Sequence, residues 1–187
     1  MQIGLDRVLF VPNFVSPFKV GRAVTPGPLR REMLARAIAD NEAFVLDDRE
    51  LARPGPSYTV DTLGELKAEN PDAELLFLTG TDAVRDLPKW SRPERVLELA
   101  QFVAVTRPGV NRAEVLGALP DEWEARISFL EVPQLDISSS YLRARILEGG
   151  SIRYLVPRAV EQFIAAHGLY RTEGPEVKAL SGVMETK

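Results

Sequence analysis

The 187-residue sequence contains no cysteine and only one histidine, His167. The absence of cysteine excludes disulfides, thiolate metal sites, iron–sulfur clusters and cysteine nucleophiles. It is also typical of a reducing compartment, so we predict a cytoplasmic protein. A single histidine excludes a multi-histidine metal site, and we expect no metal ion to be held by protein side chains.

The sequence also lacks a surplus of basic residues and any long apolar run. Its 23 Lys and Arg residues are outnumbered by 27 Asp and Glu residues, which gives a net charge of −4. A protein that coats nucleic acid or an anionic membrane needs a basic surplus. No apolar stretch reaches the roughly 18 residues of a membrane span, and we expect no signal peptide. We therefore predict neither nucleic acid nor a membrane as a partner.

Short, unbroken apolar runs alternate along the chain with segments whose apolar residues recur at helical spacing. Such runs predict strands that are covered on both faces, as in a parallel sheet. The predicted strands span residues 8–11, 44–46, 75–78, 102–105 and 127–132, and the predicted helices between them centre on residues 29–38, 60–67 and 96–99. This order predicts a doubly wound parallel α/β fold.

Two more helices are predicted after the last strand. The first begins at the Ser138–Ser140 serines and ends at Gly149, and the second has Pro157 as its first residue. His167 follows the second helix, where we predict it to be the C-cap residue. We assign residues 1–170 to a single domain and expect the polar residues 171–187 to form a disordered tail.

Polar and charged residues follow four of the predicted strands, where open α/β sheets bind ligands. The candidate residues are Lys19 after the first strand, Gly80 and Asp82 after the third, Arg107 after the fourth, and Ser138, Ser139 and Ser140 after the fifth. Two of them have simpler structural alternatives, because Lys19 fits a surface lysine and Asp82 fits a helix cap.

The serine cluster is the most informative of these features. A helix N-terminus presents unpaired N–H groups and a positive dipole, both of which favour an anion. Arg143 lies three residues after Ser140 and four after Ser139, so it shares their helix face and could hold phosphate oxygens. The alternative is an ordinary serine N-cap followed by a solvated arginine.

Two further segments carry aromatic residues. Trp90 is either a core residue or a platform on which a ring can stack. Tyr58 and Thr59 follow a Pro-Gly-Pro turn and predict a helix start, with Thr59 as the N-cap and Asp61 in the first turn.

Taken together, these segments resemble bacterial nicotinate-nucleotide adenylyltransferases, and the resemblance extends from Leu5 to Tyr170. The matching segments are Val11–Asn13, Pro17–Lys19, Pro54–Leu63 (similar to the family's P-S-Y-T-x-D-T-L), Gly80–Asp82 with Leu87–Trp90, Ile137–Arg143 (similar to I-S-S-[ST]-x-[IL]-R), Ser151–Pro157 and His167–Tyr170. Each segment alone is unspecific, whereas the combination is specific.

The resemblance implies a Rossmann-like nucleotidyltransferase fold and one reaction. The 5′-phosphate of nicotinate mononucleotide would attack the α-phosphate of ATP, with Mg²⁺ required, to give deamido-NAD and pyrophosphate. Catalysis in this class consists mostly of positioning and charge neutralisation. ATP and nicotinate mononucleotide are therefore the implied partners, while the oligomeric state is left open.

The resemblance also assigns roles to particular positions. It implies that Ser139, Ser140 and Arg143 hold the ATP phosphates and that Lys19 and Arg107 approach phosphates. It further implies that Asp82, beside Gly80, meets the adenosine ribose. On the nicotinate side, it implies that Tyr58 and Thr59 present backbone groups to the carboxylate, that Trp90 stacks near the ring, and that Asn13 contributes to the same binding site.

The sequence departs from this family at its beginning. The family opens with a strand followed by G-G-[ST]-F-D-P-x-H-x-G-H, whose two histidines stabilise the reacting phosphates, and neither the glycine pair nor the histidines occur here. His167 matches a different motif, so we identify no catalytic residue. The missing strand would be central, and its loss would cost more than a typical stability of roughly 5–15 kcal/mol. We therefore hypothesise that the sequence is a truncated form of a longer natural protein and begins at an internal methionine. The alternative is a naturally short enzyme with impaired catalysis.

Three alternatives are left open by the sequence. One is adenylyl or cytidylyl transfer to another phosphorylated acceptor, which the match of Tyr58, Thr59 and Trp90 to nicotinate-side motifs disfavours. Another is a nucleotide-binding protein of the same fold without turnover. The third is an interaction protein that has kept only the fold.

Overall fold

The computed structural model describes residues 3–21, 24–106, 110–117, 119–133 and 135–171. Five strands lie within these residues, each at a predicted position: β1 (Val8–Phe10), β2 (Phe44–Leu46), β3 (Leu76–Gly80), β4 (Gln101–Thr106) and β5 (Ile127–Glu131). The α-helices of the described residues are α1 (Gly27–Ile38), α2 (Arg49–Ala52), α3 (Thr59–Glu69), α4 (Thr81–Arg85), α5 (Pro93–Leu99), α6 (Arg112–Leu116), α7 (Ser139–Leu147) and α8 (Arg158–Ala166). Short 3₁₀ segments occupy Pro17–Lys19, Leu87–Lys89 and Asp121–Arg126.

The chain divides into two compact units, Met1–Pro56 with Asp136–Lys187 and Ser57–Leu135. In the first unit β1 and β2 pair in parallel, with Leu9 opposite Val45. In the second unit β3, β4 and β5 form a parallel sheet with β4 in the middle, where Leu78 lies opposite Val103. The predicted parallel α/β class is confirmed, although the described strands form two sheets instead of one.

Burial differs between the strands more than the apolar runs predicted. On β4, Phe102, Val103 and Ala104 are completely or almost completely buried, because this strand has a neighbour on each side. Leu9 on β1 and Leu78 on β3 are 38% and 39% exposed. The prediction of strands covered on both faces therefore holds for β4 and is wrong for β1 and β3.

Each unit has its own hydrophobic core. In the first unit α1 packs against α8, and the core contains Leu29, Ile152, Val160, Phe163, Ile164 and Leu169. In the second unit α3 packs against α5 over a core that includes Val60, Leu63, Leu87, Val96, Leu97 and Phe102. The assignment of residues 1–170 to a single domain stays a prediction. Residues 172–187, which make up nearly all of the predicted tail, lie outside the described residues.

Three helix starts differ from the predictions by one or two residues. Tyr58, and not Thr59, is the N-cap of α3, because the extended backbone lasts until Tyr58 (φ −93°, ψ 128°). Asp61 lies in the first turn as predicted. Asp82 lies inside α4, where Gly80 is the N-cap, so the capping alternative for Asp82 is wrong. Pro157 is the N-cap of α8 and not its first residue.

No helix within the described ranges combines the length and the apolar character needed to cross a membrane.

Candidate functional site

The N-terminus of α7 carries the three serines. Ser138 is the N-cap, and its Oγ accepts a hydrogen bond of 3.1 Å from the backbone N–H of Tyr141. Ser139 and Ser140 are the first two residues of the helix, and both are exposed. Their backbone N–H groups lie in the first turn, where the helix supplies no carbonyl acceptor for them. The prediction of a serine cap is thus confirmed for Ser138, and capping does not require the hydroxyls of the other two serines.

Arg143 lies on the same face of α7 as Ser140, as its spacing predicted. Its Nη2 donates a hydrogen bond of 3.2 Å to Ser140 Oγ, and the arginine is exposed to solvent. Ser139, Ser140 and Arg143 therefore form a cluster of two hydroxyls, first-turn N–H groups and one guanidinium, which we call the α7 cluster. All of these groups can donate hydrogen bonds to phosphate oxygens, and the helix dipole adds positive potential at the same place.

The loop after β1 is held by Arg30 of α1, a residue that no sequence pattern indicated. Arg30 donates from Nη1 to Asn13 Oδ1 (3.2 Å) and from Nη2 to the carbonyl oxygens of Asn13 (2.6 Å) and Phe14 (3.0 Å). Its Nε donates to the Thr25 carbonyl oxygen at 2.9 Å. Asn13, a predicted ligand of the nicotinate nucleotide, is thus already engaged through its side-chain oxygen. Lys19 ends a 3₁₀ segment in this region, and its side chain lies outside the described part of the structure.

The electrostatics of Arg30 reflect this enclosure. Burial of the guanidinium lowers the pKa of Arg30 below its ordinary value, and the opposing effect of Tyr170, which raises it, is smaller. Arginine stays protonated in proteins, so Arg30 keeps its full set of donors. The hydroxyl groups of Tyr170 and Thr25 lie 2.9 Å apart, which connects the residues after α8 to the segment before α1.

In the second unit, Tyr58 and Thr59 lie at the N-terminus of α3, just after the turn at Gly55. Gly55 has a φ of +108°, a conformation that side chains rarely tolerate, and this explains the glycine in the Pro-Gly-Pro turn. Tyr58 is 40% exposed, and Thr59 is half-buried. Backbone N–H groups at a helix start are donors of the kind that a carboxylate accepts from.

Trp90 packs on core residues and keeps part of its surface exposed. Its ring packs edge-on against Phe77 and Phe102, with centroid distances of 5.7 Å and 5.9 Å. The residue is nevertheless only half-buried. Core packing therefore fixes the position of the ring while part of its surface stays accessible, as a stacking platform requires.

Two more predicted residues of this unit, Gly80 and Asp82, lie at the end of β3. Gly80 is exposed and caps α4 with its backbone. Asp82 is almost fully exposed, and its Oδ1 lies 3.2 Å from Nη1 of Arg85. Such an exposed pair is weak, so the Asp82 carboxylate can exchange this partner for a ribose hydroxyl. Arg107 lies outside the described residues.

His167 occupies a structural position. It is the C-cap of α8, as predicted, and its Nδ1 lies 2.9 Å from the carbonyl oxygen of Phe163. Its ring also lies 4.0 Å from that of Phe163, centroid to centroid. Within the described ranges, no group of three or more His, Cys, Asp or Glu residues has the geometry to hold a metal ion.

Comparison with known proteins first gives a broad class. A family model described as cytidylyltransferase-like matches residues 1–145. The structure also resembles the solved structure of Plasmodium falciparum nicotinic acid mononucleotide adenylyltransferase complexed with NaAD, with a TM-score of 0.70 and 19% sequence identity. The alignment covers 88% of this protein and 82% of the Plasmodium chain. The fold is therefore that of a nucleotidyltransferase.

Curated relatives give the particular family. A protein of Thermomicrobium roseum is 43% identical over 91% of this chain and 80% of its own length, and one of Thermus thermophilus is 48% identical over 89% of this chain and 84% of its own length. Both carry the name "Probable nicotinate-nucleotide adenylyltransferase". The chain belongs to the nicotinate-nucleotide adenylyltransferase family.

Proposed function

We propose that this chain transfers the adenylyl group of ATP to nicotinate mononucleotide, which gives deamido-NAD and pyrophosphate for NAD biosynthesis. The observation that carries the proposal is the exposed α7 cluster in a chain 43% identical, over 91% of its length, to a relative bearing that name. In the reaction, a phosphate oxygen of nicotinate mononucleotide forms a bond to the α-phosphorus of ATP. The bond from that phosphorus to the bridging oxygen of the β-phosphate breaks, and pyrophosphate leaves.

In the first unit, the α7 cluster is proposed to hold the ATP phosphates. The guanidinium of Arg143 can donate two parallel hydrogen bonds to phosphate oxygens, and the hydroxyls of Ser139 and Ser140 add neutral donors. Mg²⁺ is proposed to enter bound to ATP, because this ion is usually held by substrate phosphates and water with few protein ligands. Its chemical contribution is neutralisation of phosphate charge.

In the second unit, Tyr58 and Thr59 are proposed to bind the nicotinate carboxylate through the backbone at the start of α3. The exposed part of the Trp90 ring supplies a surface for the pyridine ring, and Asp82 beside Gly80 is proposed to accept hydrogen bonds from the adenosine ribose. Asn13, Lys19 and Arg107 keep the roles that the family resemblance assigns to them, as proposals. A cytoplasmic location likewise remains a proposal.

One observation favours a second candidate, namely a nucleotide-binding protein without turnover. The family's histidine motif does not occur in the sequence, and the lone His167 is engaged with Phe163. Binding by the α7 cluster needs no histidine, whereas stabilisation of the reacting phosphates is assigned to histidines in this family.

The experiment that separates the two candidates measures binding and turnover on the same purified chain. We expect ATP with Mg²⁺ and nicotinate mononucleotide to yield pyrophosphate and deamido-NAD in equal amounts, with nicotinamide mononucleotide as the matched comparison. Calorimetric binding of both substrates without pyrophosphate release would support the second candidate. Absence of binding for both substrates would overturn both candidates.

Replacement of the only histidine tests whether it takes part in the reaction. We expect His167→Gln to change kcat by less than about twofold and to leave the pH profile of kcat unchanged, because both the ring Nδ1 and the ring face are already engaged with Phe163. Loss of the hydrogen bond between the ring Nδ1 and the Phe163 carbonyl oxygen should lower the free energy of unfolding by about 0.5–1.5 kcal/mol. A kcat reduced by more than about tenfold would contradict this structural role.

A further inference from the structure

Arg92 stands out because it is an arginine in the left-handed backbone region. Its φ is 51° and its ψ is 59°, and it is the N-cap of α5. A side chain with a Cβ adopts this conformation at a cost in free energy, and such strain persists only when the surroundings enforce it. Pro93 follows directly and disfavours right-handed helical backbone at Arg92, so the turn redirects the chain abruptly between Trp90 and α5.

The side chain of Arg92 reaches across to α3. Its Nη2 donates to Asp61 Oδ1 at a distance of 2.5 Å, which links residues 31 positions apart in the chain. The Arg92 and Asp61 side chains are 62% and 41% exposed. Ion pairs this exposed contribute little to stability, so a gain in stability does not explain why a strained arginine stands here.

The location of the pair suggests a different role. Asp61 lies in the first turn of α3, three residues after Tyr58 and two after Thr59, while Arg92 lies two residues after Trp90. Packing of Trp90 on Phe77 and Phe102 fixes one edge of the indole ring. The core between α3 and α5 includes Val60 in the first turn of α3 and Val96 on α5. The ion pair adds a side-chain link between that first turn and the turn that follows Trp90.

We propose that the Asp61–Arg92 ion pair is a positioning element that sets the separation between the Trp90 ring and the N-terminal backbone of α3. This inference rests on the proposed function. The separation would fit a pyridine ring that carries a carboxylate. Trp90 contacts the ring face, and the α3 N-terminus binds the carboxylate. Neither Asp61 nor Arg92 touches the acceptor, so both act through Trp90 and the α3 backbone.

The test compares binding of the two substrates to variants of the full chain. We expect Asp61→Asn and Arg92→Gln each to weaken nicotinate mononucleotide binding about tenfold, because small displacements of a binding group have large effects. The Kd for ATP should change by less than about twofold, since the pair lies outside the α7 cluster. Arg92→Lys, which retains the charge, should recover most of the affinity for nicotinate mononucleotide. If the ion pair only stabilised the fold, its loss would not affect one substrate more than the other.

Two controls make the test specific. Arg95→Gln breaks another exposed ion pair of the same unit, in which Arg95 Nη1 lies 2.7 Å from Glu98 Oε2, and should leave both affinities unchanged. Arg92→Gly keeps the left-handed backbone without the side chain, so it should behave like Arg92→Gln if the ion pair matters. Quenching of Trp90 fluorescence by acrylamide, against the buried Trp123 as background, should rise when the pair is broken.

The possible results are distinct. The positioning role is overturned if Asp61→Asn and Arg92→Gln bind nicotinate mononucleotide as tightly as the wild-type chain does. It is also overturned if the two variants lose affinity for ATP and for nicotinate mononucleotide to the same extent. If the wild-type chain binds ATP but not nicotinate mononucleotide, the proposed function itself fails, and the positioning role fails with it. An acceptor-specific loss with rescue by Arg92→Lys supports the role.

Discussion

Arg143→Ala is expected to lower kcat/KM for ATP by about 100-fold, the size of effect produced by loss of one donor to developing charge. Arg143 is the one guanidinium of the α7 cluster, and its exposed side chain already lies 3.2 Å from Ser140 Oγ. Because the residue is exposed, its removal should leave the free energy of unfolding nearly unchanged. Steady-state kinetics with varied ATP, together with thermal unfolding of the same preparation, measure the two quantities.

Two further variants show whether the guanidinium itself matters. Arg143→Lys keeps the positive charge but loses the planar fork, so we expect a reduction of about tenfold. Arg145→Ala is the matched control, because Arg145 lies on the same helix and donates to the Ser151 carbonyl oxygen at 2.5 Å instead of sharing the Ser140 face. ATP kinetics of Arg143→Ala that equal those of Arg145→Ala would refute the phosphate-binding role.

The strands and the longer helices of this fold were predictable because each has a local cause. Apolar runs that end at Pro or Thr located β1, β3 and β4, two further apolar-rich segments located β2 and β5, and helical spacing located α1, α3 and α5. The short helices α2 and α6 were not predicted. What the runs could not predict is how each strand is covered, because that depends on its neighbours in the sheet. Phe102 on the central β4 is fully buried, whereas Leu9 and Leu78, with similar local sequences, are not.

The candidate site was predictable only in part, and for a physical reason. The relation between Ser140 and Arg143 follows from helix geometry, so the spacing alone predicted it. Which serine caps the helix depends on where the extended backbone ends, and the sequence does not specify that residue. For the same reason Thr59 was predicted to cap α3, whereas Tyr58 is the N-cap. The bonds from Arg30 to Asn13 and Phe14, and from Arg92 to Asp61, were missed because these partners are 16 to 31 residues away. A left-handed arginine also leaves no signal in composition or periodicity.

Arg30→Ala is expected to lower the free energy of unfolding by about 2–4 kcal/mol, because hydrogen bonds from a charged donor contribute about 1.5–3 kcal/mol each and water replaces part of the loss. The variant removes four donated hydrogen bonds, to Asn13 Oδ1 and to the carbonyl oxygens of Asn13, Phe14 and Thr25. Chemical denaturation at neutral pH measures the change.

The adjacent Arg31 offers a matched control for Arg30. Arg31 also lies on α1, but its Nε pairs with Asp48 Oδ2 at 2.7 Å where both side chains are about half exposed. Arg31→Ala should therefore cost at most about 1 kcal/mol. Equal destabilisation by the two variants would show that the Arg30 bonds do not hold the loop after β1. A larger loss for Arg30→Ala, with nicotinate mononucleotide binding weakened alongside, would mean that α1 holds the loop carrying Asn13 in its binding conformation.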